Sequence, residues 1–350
     1  MSLPATQLRQ PPGPKAHRLL GIIPEMRKGD ISLLTRYAKE FGNMIRFRVG
    51  PRSLYFLNHP DFVKYVLQSH YQDFSKETRA WSMIRVVLGS SVFITSGDPW
   101  RQRRRLMQPL FTRPAIMPLM GMMFRVVEEM VDDFSKKQAR GESLDMREEM
   151  MRVTLRVIGE TIMGTDVGPY VPQVSQALSY ILQHITDNYT SLFNWPLFVP
   201  TDRNLKFRRS IRVLEDVVYD VLKKRRQGLQ NPDDLLSRLM AARNEETGQF
   251  LSDKEIRDEV LTMFLAGHET TANALAWTWY LLAQYPDIEE KVHREAKETL
   301  KNWPPTPQDL SKLTYPTQVL EESFRIYPPV WVISRRSEKR MELGGYYIPP

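Results

Sequence analysis

Residues 252 to 285 carry a helical apolar pattern with both ends marked, and few chain architectures can accommodate it. Ser252 and Glu255 form an S-x-x-E capping box, and Leu251 with Ile256 can close a hydrophobic staple around it. The apolar spacing runs to Leu282, and Pro286 ends it. At 1.5 Å per residue such a helix spans about 50 Å, against a usual helix of about 11–12 residues. A helix this long, apolar nearly all round at its centre, has to cross the middle of a large helical domain.

Its centre is not plain core. Residues 264–275 read FLAGHETTANAL. A helix-interior glycine costs about 1 kcal/mol relative to alanine. A buried carboxylate is costly unless paired or protonated, and a threonine hydroxyl turned onto the preceding turn loosens the helix. Costs concentrated at Gly267, Glu269 and Thr270 predict a site. Ala266 and Gly267 would let a flat ligand lie against the backbone, with Glu269 an acid and Thr270 an alcohol beside it. A helix crossing lined with small residues is the alternative. Zinc is excluded by spacing: a metalloprotease helix needs a second His four residues after His268, and position 272 is Ala. His268 is expected to be a hydrogen-bonded or exposed helix residue, and no metal ligand is assigned among these residues.

The 350 residues are 42% hydrophobic and 26% charged, an ordinary globular composition able to bury a large core. There is no cysteine, so no disulfide frame and no cysteine-held metal within them. The formal net charge is +8. The basic runs RQRRR (101–105), KKRR (223–226) and SRRSEKR (334–340) are scattered and not interleaved with aromatics, which argues against nucleic acid. No stretch approaches the ~20 apolar residues of a membrane span, and MSLPATQLRQPPGPK lacks a signal-type apolar region. These features predict a cytoplasmic protein with no membrane span.

Elsewhere the pattern is mostly helical. PPGP at 11–14 reads as an extended leader. Residues 44–57 predict a hairpin around Gly50-Pro51, then a helix from Asn58-His59-Pro60 to near His70, with Asn58 its cap. Gly97-Asp98-Pro99-Trp100 opens a helix with Asp98 as cap. Helices are predicted over 115–138 and 144–164, a loop over 186–206, a helix from NPDDLLSRLM (231–240), and a strand-like end at GGYYIPP. The fold class is mainly α with a small β part (α+β), arranged as one domain over 1–350.

AGHETT resembles the A-G-x-[DE]-T-T signature of the cytochrome P-450 superfamily, the haem-thiolate monooxygenases. Other motifs agree in order and spacing. LEESFRIYPPV (320–330) resembles the E-x-x-R helix, in which Glu322 and Arg325 would form a buried structural pair. DPWRQRRR (98–105) resembles W-x-x-x-R, with Trp100 and Arg104 directed to a haem propionate, as suits a bidentate guanidinium. Arg101, Arg103 and Arg105 are left to a solvated face. Counting back from Gly344-Gly345, Arg335 falls where the family has a second propionate-binding arginine, with Arg336 the competing choice.

The resemblance implies an all-helical cytochrome P-450-like domain with a long central helix and small β regions near both ends. It implies haem b as cofactor, O2 as co-substrate, and electrons from NAD(P)H through a ferredoxin, flavodoxin or reductase drawn to basic residues. Catalysis would rest on Thr270, beside the bound dioxygen, and Glu269, a proton relay. The substrate would be a small apolar molecule of fatty acid, terpenoid, steroid or polyketide type, selected by loops containing Phe93 and, in the 186–206 lid, Leu192, Phe193, Trp195 and Phe198. The protein would be a monomer. The family's Cys loop, F-x-x-G-x-R-x-C, is absent from these residues, so the resemblance places the axial Cys beyond Pro350. A chain lacking that loop altogether would instead be a haem-free ligand-binding relative.

Overall fold

The computed structural model describes residues 9–26, 32–50, 52–164, 170–190, 194–228, 234–243 and 248–350. The predicted lid residues Leu192 and Phe193 lie outside these. The chain separates into two compact units. One comprises Met1–Arg85, Leu182–Asn204 and Ser334–Pro350; the other comprises Val86–Ile181 and Leu205–Ile333.

The first unit holds the β structure. Met44–Val49 pairs antiparallel with Arg52–Leu57, Met44 opposite Leu57. The predicted hairpin is therefore present, and Gly50 turns the chain with φ +59°. The PPGP leader lies along this hairpin, where Pro12 O accepts the Arg46 amide at 2.8 Å. Ile22, Leu33, Tyr37, Ile45 and Phe47 bury one apolar cluster, and Met44, Val66, Leu343 and Ile348 another. The strands Met341–Leu343 and Tyr346–Ile348 meet through Gly344 and Gly345, both at positive φ (59° and 79°), which is what a tight two-residue hairpin turn requires. Phe74–Ser75 pairs with Arg336–Ser337. The helix after the first hairpin, Pro60–Lys64, is capped by His59 and not by Asn58: His59 Nδ1 accepts the Asp61 amide at 3.2 Å. A π-type turn over Tyr65–Ser69 carries the chain on to His70.

The second unit is helical, and the Asp253–Gln284 helix is its spine. It has 32 residues and the predicted capping box, with Ser252 and Glu255 each capping the other. Leu251 and Ile256 are both buried, as the staple requires. Pro286 does more than end it, since the next helix, Pro286–Thr299, starts on that proline. The spine packs along the Met146–Met163 helix, which also contacts Met120–Ala139. Val126, Met150, Val153 and Ala272 form the cluster where these three helices meet. The Gly97–Met107 helix is capped at Ser96, ahead of the predicted Asp98, which instead pairs with Arg101. The predicted loop 186–206 is shorter than expected: one helix runs to Thr190 and the next begins at Asp202. Among the described residues no single helix is long and apolar enough to cross a membrane.

Candidate functional site: the open face of the spine helix

The four residues picked out at the centre of the spine do not share one face. Residues four apart on a helix are neighbours, and Ala266 and Thr270 lie together on a face left open: Ala266 is exposed and Thr270 partly so. The Thr270 hydroxyl donates to Ala266 O within the helix. That bond satisfies the hydroxyl locally and keeps the face low and flat.

Gly267 points elsewhere. A Cβ built on it would lie 2.8 Å from Ile158 Cδ1 on the Met146–Met163 helix. Its missing side chain lets two helices approach, which is the helix-crossing alternative, while Ala266 stays on the open face. The neighbouring His268 is buried against the same helix. Its Nε2 lies 3.1 Å from Met151 O, and its own carbonyl accepts the Thr154 hydroxyl at 3.2 Å. It is the hydrogen-bonded helix residue expected. Because Ile158 Cδ1 is the mobile end of a side chain, Gly267→Ala should be tolerated. Gly267→Leu should overpack the crossing and cost about 1–3 kcal/mol, read as a drop in the urea midpoint at unchanged slope.

Glu269 is half-buried, and burial pushes its carboxyl above the usual range while the Arg147 guanidinium pulls the other way. A carboxyl whose hold on a proton is strengthened by burial suits a group that takes up and releases protons.

The arginine run sorts itself by direction. Arg104 is exposed. Trp100, four residues earlier, is partly buried. Arg103, expected on the solvated face, turns inward: its side chain is 14% exposed, 2.5 Å from Glu255 and 4.0 Å from Glu259. Arg101 and Arg105 stay exposed as expected.

Arg335 lies in the other unit. It is half-buried and donates to Ser334 O at 2.9 Å. Its guanidinium lies 5.8 Å from the centre of the Trp81 ring, and Lys76 Nζ lies 5.5 Å from that ring. Trp81 Nε1 donates to Ser334 O at 3.0 Å, which holds the indole within reach of both cations. Burial, reinforced by the Arg335 charge, brings the Lys76 ammonium down to about 8. Two like charges held together at partial burial suit an anionic ligand. Arg336, by contrast, is exposed in the strand paired with Ser75. Sequence spacing alone missed Lys76 and Trp81, because they meet Arg335 only through long-range strand pairing.

Glu322 and Arg325 pair as predicted, Oε2 and Oε1 each 2.6 Å from the guanidinium. Their side chains are 55% and 70% exposed, in place of the burial that the resemblance implies. Phe93 is 42% exposed, between buried Ser91 and Ile94.

A family model described as cytochrome P-450 matches residues 11–350. The chain belongs to the cytochrome P-450 family. Cyclooctat-9-en-7-ol 5-monooxygenase of Streptomyces melanosporofaciens is 31% identical over 88% of this chain and 66% of its own length. Cyclooctatin synthase of the same organism is 30% identical over 88% of this chain and 67% of its own. Pentalenene oxygenase of Streptomyces avermitilis is 30% identical over the same shares. The chain thus spans about two thirds of the length of these P-450 relatives.

The residues present fit a haem. A macrocycle needs a face free of large side chains, which Ala266 and Thr270 supply on the spine. Its carboxylates need cations, and Arg104 stands exposed on the Gly97–Met107 helix of the same unit.

Proposed function

We propose that the protein is a haem-dependent monooxygenase that inserts one oxygen atom of O2 into a small apolar substrate of terpenoid type, with electrons from a separate redox protein. Membership of the P-450 family supports the chemistry, and relatives named for oxygenating pentalenene and cyclooctat-9-en-7-ol support the substrate class. The observation that carries the reading is the open Ala266–Thr270 face on a helix whose other side is closed by the Met146–Met163 helix.

In this reading Ala266 would leave room on the spine for the porphyrin. Trp100 and Arg104 would hold one propionate, and Arg335 another. Bound haem would supply the activation of oxygen, and none of the 350 residues is a cysteine that could give it a thiolate ligand. What this chain adds is proton handling and position. The Thr270 hydroxyl, which donates to Ala266 O in this structure, would turn to the face and hold a proton at Oγ1. Glu269 would resupply it from solvent, its carboxyl poised by burial against Arg147. Electron delivery would use a ferredoxin, flavodoxin or reductase attracted to basic surface.

The test is isotopic. Full-length protein with a surrogate redox pair and a sesquiterpene hydrocarbon panel should place one atom from labelled O2 into product, and none from labelled water. Label arriving from water would reject a monooxygenase, and haem-free protein that binds the panel would favour a ligand-binding relative.

A separate expectation concerns retention. Arg104→Ala should speed loss of haem to apomyoglobin by about tenfold, the order of one charge-assisted hydrogen bond. An unchanged rate would remove Arg104 from the propionate assignment.

A further inference from the structure

Two adjacent carboxylates on the spine helix hold a loop that their own helix never touches in sequence. Asp258 Oδ2 accepts the Ser90 amide at 2.9 Å, and Glu259 accepts the Val92 amide at 2.9 Å through Oε1 and 3.2 Å through Oε2. The approach is close enough that residue 89 has to be glycine: its φ is +56°, and a Cβ there would lie 2.1 Å from Asp258 Oδ2. The held segment runs directly into Phe93, an exposed large hydrophobic, and then into the Trp100 helix.

The clamp is buried and charged. Asp258 and Glu259 are 2% and 0% exposed. Arg257 donates to Asp258 at 2.7 Å and to Glu215 at 2.5 Å. Arg103 reaches back from the Trp100 helix to Glu255 and Glu259. The charged groups around Glu259 are therefore Asp258 and Glu255 on its own helix and Arg103 from the Trp100 helix, with Arg257 and Glu215 one step further out.

We propose that Glu259 is a positioning residue: through the Val92 amide it fixes the short loop that presents Phe93, and so governs which ligands are admitted beside that ring. The admission of ligands rests on the haem-monooxygenase reading; the clamp itself does not.

The proton state of Glu259 gives the clamp a signature that mere packing lacks. Burial pushes its carboxyl up to about 7, against the pull of the Val92 N–H and Arg103, with Asp258 and Glu255 adding repulsion. The closed loop thus holds a proton that the opened, hydrated loop releases. Opening becomes easier as pH rises from the ordinary carboxylate range toward 7, and levels off above it.

Amide hydrogen exchange over 89–96, corrected for intrinsic rates, tests this in the full-length protein. Wild type should exchange Val92 about tenfold faster at pH 8 than at pH 6, by proton linkage. Glu259→Gln, which keeps an acceptor and removes the charge, should stay protected at both pH values. Glu259→Ala should lose protection at both. Equal exchange in wild type and Glu259→Ala would overturn the clamp, as would a Glu259→Gln variant that loosens like alanine or a wild type without the pH step. Should the alanine variant fail to fold, the glutamine variant and the wild-type pH pair still decide. In the haem-loaded protein, Glu259→Ala should weaken 4-phenylimidazole about tenfold while imidazole, too small to meet Phe93, shifts less than about twofold. Equal shifts for both would refute the admission role. Wild-type protein without haem would reject the enzyme reading, and the exchange comparison would still decide the clamp.

Discussion

Asp234→Ala is expected to cost about 3–5 kcal/mol of stability, the largest single loss foreseen here. Asp234 Oδ2 and Arg225 Nη2 pair at 2.6 Å with side chains 0% and 2% exposed. Arg225 also donates to Ser237 Oγ at 3.0 Å and to Met163 O, tying the Asp202–Arg226 helix to the end of Met146–Met163. Asp234 does a second job as N-cap of Leu235–Ala241, accepting the Ser237 amide at 2.7 Å. Alanine would strand a buried guanidinium and uncap a helix together. Asp234→Asn keeps the capping oxygen and should recover about 1 kcal/mol of the loss. Urea unfolding measures both. An alanine variant within about 1 kcal/mol of wild type would mean the pair is hydrated in solution, not buried.

The second large effect is catalytic. Thr270→Ala should lower product formation by on the order of 10²-fold, the scale of a lost proton-transfer group, with haem content unchanged. Among the described residues the hydroxyl bonds to Ala266 O within its own helix, so its removal strands no partner on another element. Thr270→Ser retains Oγ and should restore most of the rate. Reduced-cofactor oxidation in the alanine variant should continue without matching product. Product and cofactor falling in step would point to a packing defect, and an unchanged rate would dismiss the proton role of Thr270.

The parts of this molecule that were legible in sequence are those specified locally. The spine helix carries its capping box, staple and terminal proline within its own residues, and the 44–57 hairpin is marked by strand runs flanking Gly50. The cap of Pro60–Lys64 shifted by one residue, to His59, because any of several neighbouring polar groups can accept the same free amides. What spacing could not give is direction toward a distant partner. Arg103 looks like its neighbours Arg101 and Arg105, yet it turns inward because Glu255 and Glu259, more than 150 residues later, face it. Gly267 adjoins Ala266 but answers to Ile158 on another helix. A signal for the clamp was present and passed over: Arg257, Asp258 and Glu259 stand consecutively inside an apolar helix, and three consecutive charges there require partners. The exposure of Glu322 and Arg325 has no sequence signature at all, since the same spacing serves buried and surface pairs alike.

The reduced carbon-monoxide difference spectrum of the full-length protein bears most directly on the central claim, that the Ala266–Thr270 face is the bed of a thiolate-bound haem. The account predicts the red-shifted Soret band of such a haem, diminished by bulk introduced through Ala266→Phe and kept in Gly267→Ala. A spectrum with no haem band, or one that Ala266→Phe leaves unaltered, would contradict it.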